Sequence, residues 1–406
     1  MIPYSRILDQ QKFLISYEKK SLLGHLDIEL TERCNNACIH CCINQPEQDP
    51  SVAAKEMDSA FIFDLLRQAA ELGAFSVRFT GGEPLLRDDF TELYLYARRL
   101  GLKVILFTNG RRITRELAQL IARIPPGAPV EVSVYGMHAV SYDAVAARRG
   151  AFREFWRGIE LLREHRIRFK VKQSLLPPNR AEMAEFESWA AAIPGMTQPP
   201  AYTMNFELRG RRDNPAMNRQ IAALRMTPEE TVAVLARNPD YAKTLPQFCG
   251  RFIGPPGDQL FRCGAGKGIC VDAYGKAQMC MALRHPGYVY DLHNTTGAEE
   301  AGVSPLKFVL TQVFPEWRKL KAVNPEYLHR CARCFLHGLC EQCPGRSWAE
   351  HGTLDTPVEY LCEIAHAEAR FAGLLQEGEK GWEVKNWRHR INRLLDAAQS
   401  TQLAPA

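Results

Sequence analysis

The 406-residue sequence lacks the features that would assign it to several other classes of protein. No run of 18 apolar residues is present, so a membrane-spanning helix is not expected, and the first 20 residues lack the basic start, apolar core and cleavage site of a secretory signal. No long block of like charge occurs, and a formal net charge of +5 indicates no nucleic-acid partner. With 46% hydrophobic residues, the chain can bury a full-sized core. The sequence therefore predicts a soluble, cytoplasmic protein.

Cysteine is absent between Cys42 and Cys249, although the chain contains thirteen cysteines. Apart from Cys249, the cysteines fall into three groups, at Cys34–Cys42, Cys263–Cys280 and Cys331–Cys362. Cytosolic thiols stay reduced, so an odd number of grouped cysteines indicates metal ligands and not a disulfide framework. Cys42 and Cys249 are not assigned as metal ligands and are interpreted as small apolar residues. A catalytic thiol is the alternative for Cys249.

The first 200 residues alternate between β-rich and helical stretches. The predicted strands are His25–Leu30, Ser76–Phe79, Lys103–Phe107, Val130–Val134, Ile167–Val171 and Tyr202–Phe206. The predicted helices are Ser59–Leu72, Asp88–Leu100, Thr114–Ile124, Ala151–His165 and Arg180–Ala192. Repeated strand–helix pairs form right-handed βαβ units. The predicted fold class is therefore α/β, with a partial (β/α)6 TIM-like barrel whose chemistry lies at the carboxyl ends of the strands.

Four segments are predicted along the chain: an N-terminal segment over 1–21, the barrel over 22–230, a small cysteine-rich domain over 249–370, and a helical extension and tail over 371–406. The charged, turn-rich stretch Arg209–Asn218 follows the last strand. Thr227, Pro228 and Glu230 then predict a helix start with a capping box. From about Cys249, short segments rich in Gly, Pro and Cys are typical of a domain that is held together by metal.

A cysteine triplet directly follows the first predicted strand. Its spacing is Cys34-x3-Cys38-x2-Cys41. Three thiolates on one loop can hold three irons of a 4Fe–4S cube and leave the fourth iron without a protein ligand, whereas most electron-transfer cubes are held by four cysteines. An iron with an open position is a binding site. The alternative interpretation is a zinc knuckle or a set of unrelated buried thiols.

A second motif, Gly81-Gly82-Glu83-Pro84, follows the second predicted strand. Two glycines at a strand end allow close backbone approach to a ligand, and Glu83 can accept a charge-assisted hydrogen bond from an ammonium group. A glycine pair before a helix is usually an ordinary turn. This motif, however, follows the cysteine triplet by one βαβ unit, and the two motifs together strongly indicate a shared site.

With both motifs, the chain resembles a radical S-adenosylmethionine (SAM) enzyme over roughly residues 22–210. The resemblance implies a cluster on Cys34, Cys38 and Cys41, a SAM amino group held by Gly81, Gly82 and Glu83, and His40 beside the adenine. It also implies SAM contacts from the later strand ends at Thr108, Asn109 and Ser133. The implied reaction is one-electron cleavage of SAM to methionine and a 5′-deoxyadenosyl radical, which abstracts hydrogen from a substrate. Relatives often have glycine where this chain has Ala147.

The C-terminal cysteines have the spacing Cys263-x6-Cys270-x9-Cys280, and then Cys331-x2-Cys334-x5-Cys340-x2-Cys343 with Cys362. Eight cysteines suit two clusters with four ligands each, and a pair of four-cysteine zinc sites is the alternative. The array resembles the SPASM domain, which carries auxiliary 4Fe–4S clusters. The resemblance implies one cluster on Cys263, Cys270, Cys280 and Cys343, and another on Cys331, Cys334, Cys340 and Cys362.

Fully ligated auxiliary clusters favour electron transfer, and hence a net oxidation. The resemblance implies a reductant such as flavodoxin or ferredoxin, and the predicted substrate is a ribosomally made peptide that is cross-linked or oxidised. The short stretch before Cys34 leaves no room for a leader-binding domain, so a separate leader-binding protein is a candidate partner. Met281 stands where sulfatase-maturing relatives carry an aspartate base, which argues against formylglycine formation. The alternatives are a small-molecule substrate, tetrapyrrole or sugar-derived, and a non-catalytic metal-binding scaffold.

Overall fold

The computed structural model describes residues 22–402, the last five by their backbone alone. It divides into two compact units that do not follow chain order. The first unit runs to Thr203 and includes Asp213–Leu224 and Gly264–Trp317, and the second contains Met204–Arg212, Arg225–Cys263 and the residues from Arg318 on. The sequence-based domain bounds stay predictions, and the N-terminal segment 1–21 lies outside the described residues.

A nine-stranded sheet organises the first unit, with strand order β11-β10-β9-β1-β4-β5-β6-β7-β8. The six strands β1 and β4 to β8 are parallel, β9 runs parallel to β1, and β10 and β11 are antiparallel. The short strands β2 and β3 pair separately. The strands are β1 His25–Thr31, β2 Arg33–Cys34, β3 Gln45–Pro46, β4 Ser76–Gly81, β5 Lys103–Thr108, β6 Val130–Val134, β7 Phe169–Ser174, β8 Ala201–Thr203, β9 Ile269–Val271, β10 Lys276–Gln278 and β11 Tyr290–Asp291.

The helices of the first unit connect and cover these strands. They are α1 Pro50–Ala53, α2 Ser59–Glu71, α3 Phe90–Arg99, α4 Arg115–Arg123, α5 Ala139–Ala146, α6 Ala151–Glu164, α7 Met183–Ala191, α8 Pro215–Ala223, α11 Thr296–Glu300, α12 Pro305–Phe308 and α13 Phe314–Trp317. The order β1-α2-β4-α3-β5-α4-β6 and its continuation through β8 confirm the predicted α/β class and the partial (β/α)6 barrel. Side-chain caps define several helix starts, as at Asp58, whose carboxylate accepts the Phe61 N–H.

The two faces of the sheet differ in burial. Leu26 and Ile28 of β1 are fully buried, whereas Asp27 between them is only partly buried. Phe79 of β4 contacts Phe90 of α3, so the buried residues face the helices. The charged and half-buried side chains that alternate with them, such as Asp27, therefore face the inside of the barrel.

Strand limits differ slightly from the prediction. Strand β7 begins at Phe169 and not at Ile167. The Ile167 N–H is occupied by the Leu162 carbonyl at 2.9 Å, because the chain leaves α6 through a turn in which Arg166 has a φ of 54°. Strand β8 ends at Thr203, since the Phe206 N–H bonds back to the Met204 carbonyl.

The second unit is mainly helical. Its helices are α9 Pro228–Ala236, α10 Pro239–Phe252, α14 Pro325–His329, α15 Pro344–His351, α16 Glu359–Phe371 and α17 Trp387–Gln402. The predicted capping box is confirmed, since Thr227 Oγ1 accepts the Glu230 N–H and the Glu230 carboxylate accepts the Thr227 N–H. Cys249 is fully buried in a core with Leu374 and Phe335, as the interpretation of a small apolar residue requires. In the part of the chain that the structure describes, no helix is long and apolar enough to cross a membrane.

Candidate functional site

The cysteine triplet lies on the loop that leaves β1. Cys34 and Cys38 are buried and Cys41 is half-buried. Burial raises the pKa of Cys34 to about 12, with further contributions from the charges of Glu83 and Cys41. The pKa of Cys38 is raised in the same way, by burial and then by Cys41 and Cys34. The charges of the three sulfurs thus act on one another, and the free thiols of Cys34 and Cys38 resist ionisation. A cationic cluster at this point would remove that penalty.

Polar contacts from the segment after β5 and from the end of α5 hold the triplet loop in place. The Arg111 guanidinium donates to the Asn35 carbonyl and, at 2.6 Å, to Asn36 Oδ1. The last carbonyls of α5 also take part, since Ala37 N–H donates to the Ala146 carbonyl at 2.9 Å. Sequence reasoning missed these residues. The available signal was Arg111 itself, a charged residue directly after the polar end of β5.

The close approach of a neighbouring backbone segment explains why the first two residues of the Gly81-Gly82-Glu83 motif are glycines. A Cβ on Gly81 would lie 2.1 Å from the Thr31 carbonyl oxygen, and one on Gly82 would lie 2.2 Å from the Arg33 carbonyl oxygen. The Gly82 N–H donates to Thr31 at 2.7 Å. The glycines thus let the end of β4 pack directly against the chain that leads into the triplet, which brings Glu83 beside Cys34.

Glu83 is fully buried and lies in a polar network. Its carboxylate accepts Thr108 Oγ1–H and Asn109 N–H, both at 2.8 Å. Burial raises the pKa of Glu83 to about 7 despite these bonds. Asn109 Nδ2 donates to Asn35 Oδ1 at 2.7 Å and lies 3.8 Å from the Cys34 sulfur. The structure therefore brings together three predicted SAM-site residues with the first predicted cluster ligand.

The last two predicted SAM contacts are His40 and Ser133. His40 is half-buried, and its removal from solvent lowers the pKa of its ring to about 4; the ring centroid lies 5.8 Å from that of Tyr135. Tyr135 hydrogen-bonds Cys38. Ser133 lies on β6, opposite Lys172 of β7. Within residues 22–397, no side-chain hydrogen bond joins Ser133 to Glu83, Thr108 or Asn109.

Comparisons with known proteins show which proteins the chain resembles. A family model for the Radical SAM superfamily matches residues 28–190, which include the triplet, Glu83 and the strand ends through β7. The chain is therefore similar to radical SAM proteins over the part of the first unit from β1 to α7, where the site residues meet.

Several curated relatives are similar to the chain. The AdoMet-dependent heme synthase of Oleidesulfovibrio alaskensis is 27% identical over 337 residues, which cover 80% of this chain and 83% of that protein. The mycofactocin maturase MftC of Mycolicibacterium smegmatis is 36% identical over 134 residues, or 33% of each chain. The PqqA peptide cyclase of Xanthomonas oryzae pv. oryzae is 45% identical over 86 residues, 20% of this chain and 22% of that protein.

Two solved structures share the fold. The structure of anSMEcpe with AdoMet and the Cp18Cys peptide has a TM-score of 0.55 at 14% identity, covering 93% of this chain and 99% of that chain. Streptococcus suis SuiB bound to S-adenosylmethionine has a TM-score of 0.56 at 14% identity, covering 86% of this chain and 79% of that chain. The chain therefore shares its fold with these two proteins.

Four of the C-terminal cysteines line one pocket of the second unit. They are Cys331, Cys334, Cys340 and Cys362, and they share the pocket with Arg330, His337, His366 and Trp382. Burial raises the pKa of Cys331 and Cys334 to about 12, and neighbouring cysteines add to the rise. These are the four cysteines that the resemblance to the SPASM domain assigns to one auxiliary cluster.

The other four predicted ligands are divided between the units. Cys270 on β9 and Cys280 after β10 belong to the first unit, where the charge of Cys280 adds to the raised pKa of Cys270. Cys270 donates to Asp27 Oδ2 at 3.2 Å. Cys263 and Cys343 belong to the second unit. Cys343 caps α15, with its sulfur accepting the Arg346 N–H.

The cysteine groups fit iron–sulfur clusters chemically. Fe–S clusters are held by cysteine thiolates, and in a 4Fe–4S cube each thiolate binds a different iron. Within residues 22–397, no three His, Cys, Asp or Glu side chains are arranged to share a single metal ion. The triplet loop and the four-cysteine pocket instead place buried thiols near one another with raised pKa values, a penalty that an iron cluster would relieve.

Proposed function

We propose that this protein is a SAM-dependent radical oxidoreductase whose cluster is held by Cys34, Cys38 and Cys41. One observation carries the proposal: a buried three-cysteine loop lies against Glu83, and Asn109 contacts both Cys34 and Asn35. When bound, the cluster supplies the electron that cleaves SAM to methionine and a 5′-deoxyadenosyl radical, which takes hydrogen from the substrate.

The protein's own residues bind and orient SAM in this proposal. Glu83 accepts the methionine ammonium group, and Thr108 and the Asn109 N–H keep its carboxylate fixed. Burial raises its pKa to about 7, although its hydrogen bonds and the charge of Arg111 lower it. An ammonium group beside it favours the ionised form, so binding SAM and ionising Glu83 support each other. His40 and Ser133 complete the proposed site beside the adenine and the ribose.

The cysteine-rich region acts as a SPASM-type domain in this proposal. Cys331, Cys334, Cys340 and Cys362 hold one auxiliary 4Fe–4S cluster, and their shared pocket supports that set. Cys263, Cys270, Cys280 and Cys343 hold the other, as the resemblance implies. With four ligands each, the clusters leave no iron open to substrate, so they serve to carry electrons. The net reaction is then an oxidation.

The proposed substrate is a ribosomally made peptide, and flavodoxin or ferredoxin is the proposed reductant. Support comes from the solved structures with the same fold, which include anSMEcpe with a bound peptide and SuiB bound to the precursor peptide SuiA. Local matches to a peptide maturase and a peptide cyclase point the same way. A separate leader-binding protein remains part of this proposal.

A tetrapyrrole is the second candidate substrate. The heme synthase of O. alaskensis matches over 80% of this chain, much more than the peptide-modifying relatives. The match therefore extends beyond the radical SAM domain into the cysteine-rich region. Incubation with deuterated candidate peptides or deuterated tetrapyrroles, followed by mass analysis of 5′-deoxyadenosine, separates the two candidates.

The first experiment tests the SAM chemistry without a substrate. Anaerobically reconstituted protein is reduced with dithionite, and 5′-deoxyadenosine formation is measured beside iron and sulfide content. Cys34→Ala should abolish cleavage, whereas the matched control Cys42→Ala, one residue beyond the triplet, should retain it. Glu83→Gln should keep the iron but weaken SAM binding at least tenfold. If wild-type protein with a full iron content cleaves no SAM, the proposed function is wrong.

A further inference from the structure

We propose that the inside of the barrel binds a carboxylate of the substrate between Arg78 of β4 and Lys172 of β7. This inference rests on the proposed function, because it takes the substrate to enter the barrel beside the triplet loop. It narrows the substrate class to acids. The argument comes from the positions, partners and charges of the residues on the inner face of the sheet.

Two cations converge on one aromatic ring. The Lys172 ammonium nitrogen lies 4.2 Å from the centroid of the Phe107 ring, and the Arg78 guanidinium carbon lies 4.8 Å from it. All three residues lie on the sheet face that alternates with the helix-facing residues, as Phe79 next to Arg78 shows. A ring between two cations provides an apolar surface flanked by two groups that attract an anion.

The carboxylates nearby are already engaged. Asp27 binds Arg78 at 2.8 Å and His25 at 2.9 Å, and Glu131 binds Lys170 at 2.8 Å. Glu29, which follows Asp27 on the same face of β1, binds Arg284, and so does Glu32 just after the strand. Within residues 22–397, no carboxylate forms an ion pair with Lys172. Lys172 is therefore a cation of the inner face without a carboxylate at ion-pair distance among the described residues, although the charge of Glu131 acts on it.

Burial makes this arrangement costly without a ligand. Burial lowers the pKa of Lys172. The charge of Glu131 opposes this shift, and the charges of Arg78 and Lys170 add to it. Arg78 Nε is buried and has no hydrogen-bond acceptor. A bound carboxylate would relieve both penalties, because it pairs with the ammonium group and offers acceptor oxygens to the guanidinium.

The position on the strand favours the substrate over SAM as the source of the carboxylate. Arg78 precedes Gly81 by three residues, which at about 3.3 Å per residue places it roughly 10 Å from the Gly81–Glu83 turn along β4. The ammonium and carboxylate groups of SAM are attached to the same carbon. If Glu83 holds the ammonium, the SAM carboxylate stays near that turn and not at Arg78.

The test uses reconstituted protein with SAM and two pairs of probes, each an acid and its neutral counterpart. One pair is coproporphyrin III and its tetramethyl ester, and the other is a hexapeptide with glutamate and the same peptide with glutamine. In wild-type protein at least one acid should bind at least tenfold more tightly than its partner. Lys172→Gln should remove that preference, Lys172→Arg should retain it, and Lys103→Gln, an exposed lysine on β5, should leave it unchanged.

Two results would overturn the inference. One is equal binding of acid and neutral probes by wild-type protein in both pairs. The other is an acid preference that survives in Lys172→Gln while the SAM dissociation constant rises at least tenfold, which would assign Lys172 to the carboxylate of SAM. Substrate-free SAM cleavage by wild-type protein in the same samples keeps the proposed function separate. If cleavage persists while the acid preference is absent, only this inference fails.

Discussion

At the scale of single residues, Ala147 is the position where the backbone is most strained near the site. It has a φ of 47°, in the left-handed region that favours glycine, and it directly follows α5. The last carbonyls of α5, at Val145 and Ala146, hold the triplet loop through its N–H groups. A residue without a Cβ would adopt this conformation at lower cost.

We therefore expect Ala147→Gly to be neutral or stabilising, by up to about 1 kcal/mol in the free energy of unfolding. The gain is limited because glycine also loses more conformational entropy on folding. Denaturant unfolding of the iron-loaded protein measures it. Ala144→Gly, within α5, is the matched control and should destabilise by about 1 kcal/mol. A loss of stability at Ala147 equal to the loss at Ala144 would contradict the prediction.

Residue patterns in the sequence were sufficient to predict the triplet, Glu83 and Asn109 as site residues, because each is tied to a strand end and to a known spacing. They did not reveal that Asn35, Asn36 and Arg111 support the triplet loop. Those contacts join residues about 75 positions apart, and a polar residue on a loop carries no mark of its partner. Only the pairing of β1 with β4, and of β4 with β5, brings them together.

At the scale of secondary structure, the contact between α10 and α16 includes a carboxyl group in an unfavourable setting. Glu368 of α16 accepts a hydrogen bond from the Tyr241 hydroxyl of α10 at 3.3 Å. Burial raises its pKa to about 7. Since the pKa is higher in the folded than in the unfolded protein, the contribution of Glu368 to stability is full below about pH 4.5 and is lost as the pH rises through 7.

Glu368→Gln should remove this loss. The difference in the free energy of unfolding between the variant and wild-type protein should shift by about 1 to 2 kcal/mol in favour of the variant when the pH is raised from 5 to 8. Urea unfolding at both pH values measures the change. Glu363→Gln, an exposed position on the same helix, serves as the control and should show no such dependence. Parallel pH profiles for wild-type protein and Glu368→Gln would show that the pKa of Glu368 is not raised.

At the scale of the whole molecule, each of the two compact units is built from several separate segments of the chain. Residues 264–317 belong to the unit that contains the barrel, where β9 extends the sheet beside β1. The cysteines at 331–362 belong to the other unit. The cysteine-rich region that reads as one segment in the sequence is thus built into two separate cores.

The proposed metal content follows from the three cysteine sets. Reconstituted wild-type protein should contain about twelve irons per chain, as expected for three 4Fe–4S clusters. Cys334→Ala should contain about four fewer, since it removes a ligand from the pocket of the second unit. Cys42→Ala is the control and should keep the full amount. Iron, sulfide and zinc analysis measures these values, and about four irons together with zinc in wild-type protein would refute both auxiliary clusters.

The sequence by itself determined the class of fold and the core of the candidate site, because strand–helix alternation and short cysteine spacings are local properties of the chain. Tertiary structure decided what depends on distant contacts. The two glycines are required by the backbone of residues 31–33, and the loop is held by Arg111. Among the described residues, Lys172 forms no ion pair with a carboxylate, while the nearby Glu131 pairs with Lys170. Such pairings depend on which strands become neighbours, and a linear pattern does not specify them.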